Sequence, residues 1–255
     1  MIKGLYTAAS GMLSSMIATD ALANNLANAS TVGFKRSDVH FKAFPEMLLQ
    51  RINAKGAAPI GGISTGTQIA GTMTRFTQGD LHTTGNPLDV AIEGNGFFTV
   101  QNGKGETLYT RDGNFTLNNE GYLVTHEGEF VMGKKGKIRI PSGEAIHFTP
   151  RGDVTGNNVP LDNLVITQFD NEHTLQRLGN NLFKMGAGTK ITPPPQDPKQ
   201  LTFKLHEGKL ESSNTNAIHE LVNTITGFRL YESLQKNIQI HNETLGKAVN
   251  DVGRA

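Results

Sequence analysis

Cysteine is absent from the 255 residues, so neither disulfides nor thiolate metal sites can hold this chain together, whichever redox compartment it occupies. Charge of one sign is lacking too. With 24 basic and 23 acidic side chains mixed along the chain, the formal net charge is +1, which leaves no electrostatic footprint for DNA or RNA. Long apolar runs are missing: Lys3 is followed by small, polar and apolar residues with Asp20 and several Asn, so residues 1–30 read neither as a secretory signal nor as a membrane span, for which about 18 apolar residues in a row are needed. A protein of this kind leaves the cytoplasm only by some other route.

The usual signatures of catalysis are also thin. Gly94-Asn95-Gly96 begins like a dinucleotide fingerprint, but Phe98 and Val100 stand where a helix should start, so it reads as a β-turn. No G-x-S-x-G elbow occurs. The eight His, at 40, 82, 126, 147, 173, 206, 219 and 241, include no H-x-H or H-x-x-x-H pair, so a metal site would need three distant segments to converge. Arg111-Asp112-Gly113 reads as a hairpin corner between Tyr109-Thr110 and Phe115. These observations point away from an enzyme, a cofactor, a small-molecule substrate and a nucleic-acid partner.

What the chain has in abundance is glycine and periodicity. Its 29 Gly in 255 residues, about 11%, exceed the usual ~7%, and most lie between residues 56 and 190, as many tight turns require. Both ends carry heptad stripes instead. With Ile2, Ala9, Met16 and Ala23 at a, and Leu5, Met12, Thr19 and Leu26 at d, the first 27 residues keep a 3-4 spacing for nearly four heptads. At the other end Ile218, Leu221, Ile225 and Phe228 are spaced 3-4-3; after a stammer-like slip, Tyr231, Leu234, Ile238, His241, Leu245, Ala248 and Val252 resume the repeat. A stripe this narrow covers one side of a helix, so each helix needs a partner, and the other terminus is the nearest. The fold expected is α+β, with N- and C-terminal helices paired as a coiled-coil stem around an inserted, mainly antiparallel β domain.

The first helix is expected over 4–27, interrupted by Gly11 and about 36 Å long. Its exit places Asn24, Asn25 and Asn28 where amides can satisfy the last carbonyls, and Gly33 where a positive φ costs least. The second helix is expected to be capped by Asn214, Thr215 or Asn216, with Glu220 favoured by the dipole of the first turn. Residues 36–70 lack a sustained period and read as an extended connector. From 71 the pattern is β: Leu88, Val90 and Ile92 alternate with Asp89, Ala91 and Glu93, Phe97–Val100 follows, and Phe115–Leu117 pairs with Tyr122–Val124 as a hairpin. Further strands are expected at Lys137–Ile140, Ala145–Phe148, Leu164–Phe169 and Leu201–Leu205, with Pro193–Pro195 as a stiff connector. The domains are then a discontinuous stem, 1–35 with 210–255, a connector, 36–70, and a β domain, 71–209.

Asn24-Asn25-Leu26-Ala27-Asn28-Ala29-Ser30-Thr31-Val32-Gly33-Phe34-Lys35-Arg36 closely resembles the N-terminal signature of bacterial flagellar rod and hook proteins. Leu88–Val100, Tyr109–Phe115 with Gly121–Thr125, and Leu210–Asn216 leading into Glu220-Leu221-Val222 agree, in the family's order. The length fits both the proximal and the distal rod type, and the stretches Leu164–Asn171, Leu178–Phe183 and Gln235–Ile240 look more like the proximal type, with the distal type next. The resemblance implies a structural subunit of the basal-body rod, exported by the flagellar type III apparatus without a cleaved signal. It would stack helically with copies of itself and homologous rod proteins, outside the cytoplasmic membrane, with ring proteins around it.

On that resemblance, Ile2, Leu5, Ala9, Met12, Met16, Leu26, Ile218, Leu221, Ile225, Phe228, Tyr231, Leu234, Ile238, Leu245 and Val252 are expected to carry axial packing. Asn24, Asn25, Leu26, Ala27, Asn28, Thr31, Gly33, Phe34 and Lys35 would fix the helix exit. A secreted stalked adhesin or binding module, with the stem as stalk, is the competing reading from another class.

Overall fold

The computed structural model describes residues 2–44, 47–53, 56–141, 146–157, 159–192 and 202–252. Among the described residues two α-helices, α1 (Ile2–Ala27) and α2 (Ala217–Val252), bracket antiparallel strands and turns with one short 3-10 helix at Glu172–Thr174, which is the α+β arrangement expected. The chain forms two compact units: Met1–Ala27, Ser37–Met73 and Asn216–Ala255 make one, and Asn28–Arg36 with Thr74–Thr215 make the other.

In the first unit α1 and α2 run antiparallel, and small residues set how close they come. A Cβ on Gly4 would sit 3.0 Å from Nε2 of His241, and one on Gly11 would sit 3.2 Å from Cδ1 of Leu234. One on Gly227 would sit 2.7 Å from Oγ1 of Thr19. The first two contacts are seven residues apart on both helices, so the pair keeps heptad register. Ser15 Oγ adds a hydrogen bond to the Gly227 carbonyl at 3.1 Å, feasible only because no side chain separates the backbones. Gly11 therefore does not interrupt α1; it is where α2 passes. At the start of α2 the cap is Asn216, whose side chain accepts from the His219 N–H at 3.1 Å.

Residues 36–70, read as a connector, are extended but paired. Ser37–Ala43 pairs with Thr67–Thr74, and Met47–Asn53 pairs antiparallel with Gly56–Ile63, from Met47 opposite Ile63 to Asn53 opposite Gly56. Two-stranded ribbons show no core-facing period to read in sequence when they have no closed core of their own, and Pro59 is tolerated because every strand of a ribbon is an edge. Hydroxyls join ribbon to helix: Thr7 Oγ1 donates to the Thr65 carbonyl at 2.6 Å, and Thr67 Oγ1 to Ser14 Oγ at 3.2 Å.

The second unit is organised around Phe97–Gln101. Thr107–Thr110 pairs along one side of it, with Phe98 opposite Thr110 and Gln101 opposite Thr107. Its other side is shared, Val100 and Gln101 pairing with Phe130–Gly133, and Phe97 and Phe98 with Ile166–Phe169. Leu123–Thr125 and Phe115–Leu117 extend the sheet one way; Leu182–Lys184 and Gln176–Gly179 extend it the other. A second sheet joins Ile146–Phe148, Asp153–Gly156 and Val159–Asn163, and Phe203–Glu207 pairs with Val90–Gly94.

Period 2 along Phe97-Phe98 sends the two rings to different cores. Phe98 enters a large aliphatic core with Val90, Ile92, Val100, Leu123, Val131 and Leu205. Phe97 enters an aromatic one with Phe76, Tyr109, Phe169, Leu175 and Phe183, where Tyr109 meets Phe169 edge-on at 4.8 Å and 86°. Gly94, at φ 96°, and Gly96, at φ 143°, turn the chain between those strands as expected.

Three local expectations are corrected. Asp89 and Ala91 are buried along with Val90 and Ile92, because Asp89 is satisfied inside by Thr84 Oγ1 at 2.6 Å and by the amides of Asn86 and Asn114 at 3.1 and 3.2 Å. The strand expected over Lys137–Ile140 is only Gly136–Lys137, continued by a bridge from Arg139 to Tyr122. The others begin one to two residues later, at Ile146, Ile166 and Phe203; Ala145, Leu201 and Pro193–Pro195 lie outside the described residues.

Candidate functional site

The helices present one covered seam and further apolar stripes turned outward. On α2 the seam runs through Glu220, Thr224, Gly227, Tyr231, Leu234, Ile238, His241, Leu245 and Ala248, an unbroken 4-3 alternation of covered or half-covered positions. The expected slip between Phe228 and Tyr231 is thus absent from the seam, which continues through Gly227 instead. Ile218, Leu221, Ile225 and Phe228 are out of phase with it and exposed, Ile218 at 77% and Phe228 at 56%.

On α1 Leu5, Met12, Thr19 and Leu26 lie on the covered side, but Ala9, Met16 and Ala23 are exposed. Ala8 and Ser15, both buried, and the half-covered Leu22 take the inward places. Tyr6, Leu13 and Ile17 add to the exposed apolar surface. The side chains of Ile2 and Val252 lie outside the described residues. The reason for the exchange is physical: reading by hydrophobicity ranks Met and Phe above Ala, Ser and Gly, whereas the close approaches of this helix pair select small residues that let backbones come together.

The helix exit is held by side chains from far along the sequence. Asn25, fully buried, bonds Ser37 on both sides of its amide, accepting from the Ser37 N–H and donating to the Ser37 carbonyl, each at 2.9 Å. It thereby copies a strand partner rather than capping α1, the role expected of it. Asn28 accepts from Thr31 Oγ1 at 3.2 Å and caps a short turn. Ala27 closes α1, and Asn24 and Leu26 lie within its last turn. Gly33 has the expected positive φ, 65°, and a Cβ there would lie 2.6 Å from the backbone of both Arg111 and Asp112.

Beyond Gly33 three of the sequence signatures meet. The Lys35 ammonium lies 2.5 Å from Glu211 Oε1, with both side chains at 0% exposure, and also donates to the Thr77 carbonyl at 2.9 Å. Arg111, also buried, reaches Glu211 Oε2 at 3.5 Å and stacks its guanidinium over Phe97. Gly33 N–H donates to the Glu211 carbonyl at 2.8 Å, and Gly79 N–H to its carboxylate at 2.9 Å. Arg177 lies over Phe34, 4.6 Å from the ring centre, and donates to the Lys35 carbonyl. Asn181 donates to the Val32 carbonyl at 2.8 Å. Asn214 accepts from the Arg36 N–H at 2.8 Å and donates to the carbonyls of Arg75 and Thr77.

Burial lowers the Lys35 ammonium below the usual lysine range, opposed by Glu211, with Arg111 lowering it further. Burial likewise lowers the Arg111 guanidinium, with Glu211 and Glu172 pulling the other way. Such a cluster holds a loop rigidly, since removing one partner leaves a buried charge at a cost of about 3–5 kcal/mol. Sequence reasoning named Lys35 and Gly33, missed Arg111, Arg177, Asn181 and Glu211, and gave Asn214 only a capping role. Arg111, Glu211 and Asn214 stood inside the quoted signatures Tyr109–Phe115 and Leu210–Asn216, and a shared motif with no chemistry of its own was the available signal.

Asp112, read as a hairpin corner, has its carboxyl raised to about 6 by burial, although Asn114 N–H donates to it at 2.9 Å. Among the described residues no group of three or more His, Asp or Glu could hold a metal ion, and no helix is long and apolar enough to cross a membrane.

Comparison with known proteins agrees with this geometry from end to end. Residues 5–35 match the family described as flagella basal body rod protein, 91–156 the D1 domain of flagellar hook protein FlgE/F/G, and 206–251 the C-terminal region of flagellar basal body rod FlgEFG proteins. The flagellar basal-body rod protein FlgG of Borreliella burgdorferi is 34% identical over 98% of both chains. That of Agrobacterium fabrum is 36% identical over 95% of this chain and 96% of its own, and FlgG of Bacillus subtilis is 33% identical over 98% and 99%. These relatives are named FlgG, not FlgF, the type that the stretches at 164–171, 178–183 and 235–240 suggested.

Proposed function

This chain belongs to the flagellar rod and hook protein family of FlgE, FlgF and FlgG, a family of structural components, and on that premise we propose that it is a basal-body rod subunit of the distal, FlgG type. The full-length identity to proteins named FlgG supports the type. One observation carries the mechanism: α1 and α2 spend small residues on each other and turn Leu13, Met16, Ile218, Leu221, Ile225 and Phe228 outward.

An outward apolar stripe on a helix that already has a partner is an unfilled seam, and a second copy of the same chain can fill it. Where the outward stripe of α1 on one copy meets the different outward stripe of α2 on the next, the contact is head-to-tail and does not close on a pair; repeated, it generates a helical array. Stiffness and torque transmission then reside in these axial contacts, to which Leu5, Met12, Leu26, Tyr231, Leu234, Ile238 and Leu245 contribute by holding the two helices together. Delivery through the flagellar type III apparatus fits a stem whose outward apolar stripes are covered only by neighbours.

The test has two arms. Expression of the chain should restore motility to a strain lacking its distal rod gene and not to one lacking its proximal rod gene; the reverse pattern would reassign the type. Ile225→Asp, at an exposed position, should leave the monomer folded by circular dichroism yet stop incorporation into isolated basal bodies. Normal rods from that variant would remove the outward stripe from the mechanism.

A further inference from the structure

We propose that Asn28–Arg36 is fastened to the second unit rather than woven into it, with Lys35, Arg111 and Glu211 as the catch, and that it is the last part of that unit to close. The inference stands apart from the rod assignment, since it concerns how one unit of this chain completes itself.

The segment forms no strand and joins no ladder. Apart from Phe34 beneath Arg177, what holds it is polar: Gly33 and Lys35 on Glu211, Lys35 on Thr77, Arg36 on Asn214 and Arg75, Val32 on Asn181. Most of these partners arrive late in the chain. Arg177, Asn181, Glu211 and Asn214 lie 142, 149, 176 and 178 residues beyond the groups they bind.

Part of the sheet is built from near neighbours, Phe97–Gln101 with Thr107–Thr110 and Phe115–Leu117 with Leu123–Thr125; Ile166–Phe169 and Leu182–Lys184 join it from farther along the chain, but still across shorter separations than those to Arg177 and Glu211 that hold Asn28–Arg36. Local pairings form early, because little loop entropy is lost before contacts reward it, and distant ones form late.

Charge reinforces that order. Lys35 and Arg111 are both cations in a site with exposures of 0% and 2%, and Glu211 is the carboxylate that bridges them. Until Glu211 arrives, bringing Lys35 onto the body would bury it beside Arg111 with Glu172 acting on them through space, without the direct bridge of Glu211, so partial closure is opposed rather than merely unrewarded. In a chain delivered N-terminus first, Asn28–Arg36 emerges early and stays unfastened until residue 211 follows. Arg111, which sequence alone reads as a corner, becomes a positioning residue that makes early closure unfavourable.

Pulsed hydrogen exchange during refolding of the full chain from urea tests this, read by mass spectrometry on peptides covering 28–36, 97–101 and 107–110. In the native sequence the sheet peptides should gain protection in an earlier phase than 28–36. Glu211→Gln should keep the sheet protected while 28–36 exchanges at least tenfold faster. In Lys35→Met/Arg111→Met/Glu211→Leu, where no pair of cations opposes closure, the lag of 28–36 behind the sheet should shorten. Simultaneous protection of 28–36 and the sheet in the native sequence would overturn the proposal, as would native protection of 28–36 in Glu211→Gln. Should Glu211→Gln fail to fold, the triple variant decides: an unchanged lag would show that the charges are not the catch.

Discussion

Asp112 offers the sharpest quantitative prediction. Its carboxyl titrates near 6 in the folded chain against 3.8 for an ordinary aspartate, a rise of about 2 units caused first by burial. At 1.36 kcal/mol per unit, that is about 3 kcal/mol favouring the protonated form in the folded state. The sign follows from proton counts. Between 3.8 and about 6 the folded chain binds more protons at this site than the unfolded chain, so stability falls as pH rises through that window and levels off above it.

Asp112→Asn keeps the side-chain oxygen that accepts from Asn114 and cannot ionise, so the variant should escape the loss. Urea unfolding followed by far-UV circular dichroism at pH 4 and pH 7.5 measures both chains. The variant should match the native sequence at pH 4 and exceed it by about 3 kcal/mol at pH 7.5, corresponding to a higher urea midpoint with unchanged slope. Glu172, also raised by burial, contributes a slope of the same sign in both chains and cancels in the difference. Equal stability of native and variant chains at pH 7.5 would refute the reasoning.

Gly33→Ala should destabilise the second unit by more than about 2 kcal/mol in the same unfolding experiment, since it adds the left-handed penalty of about 1 kcal/mol to a Cβ placed 2.6 Å from the Arg111 and Asp112 backbone. Gly33→Asn, which tolerates the φ but not the collision, should fare no better. Gly11→Leu should push α2 off α1, lowering amide protection of residues 5–20 and 227–241 while leaving the sheet peptides unchanged; native protection of both helices would show that the close approach is not needed.

The parts of this fold that were legible in sequence are those where one residue type answers one local demand. Gly33 marked a positive φ, the Gly-rich turns marked the hairpins, and the heptads marked both helices to within a few residues. The rest depended on who stands opposite. Ala9 and Ala8 are indistinguishable by hydropathy, yet Ala9 is exposed and Ala8 is buried, and only the position of α2 decides between them. Phe228 outranks Gly227 in any apolar count, and the seam takes Gly227 because Thr19 passes there. Arg111 looked like a polar corner, because nothing local in Arg111-Asp112-Gly113 announces a carboxylate 100 residues away. Asn25 was placed correctly and given the wrong partner, since an amide that can cap a helix can equally imitate a strand.

The angular offset between the two faces of α2 fixes more than which residues are buried. Leu221, Ile225 and Phe228 each follow a covered position, Glu220, Thr224 and Gly227, by a single residue, which is about 100° around the helix axis. Two faces 180° apart would let helices be laid side by side in a flat raft of unlimited width. On the assembly proposed above, a step of about 100° would make each added helix turn a corner, so the layer would curve rather than spread flat. The choice of glycine at 227 and phenylalanine at 228 would then set the curvature as well as the contact.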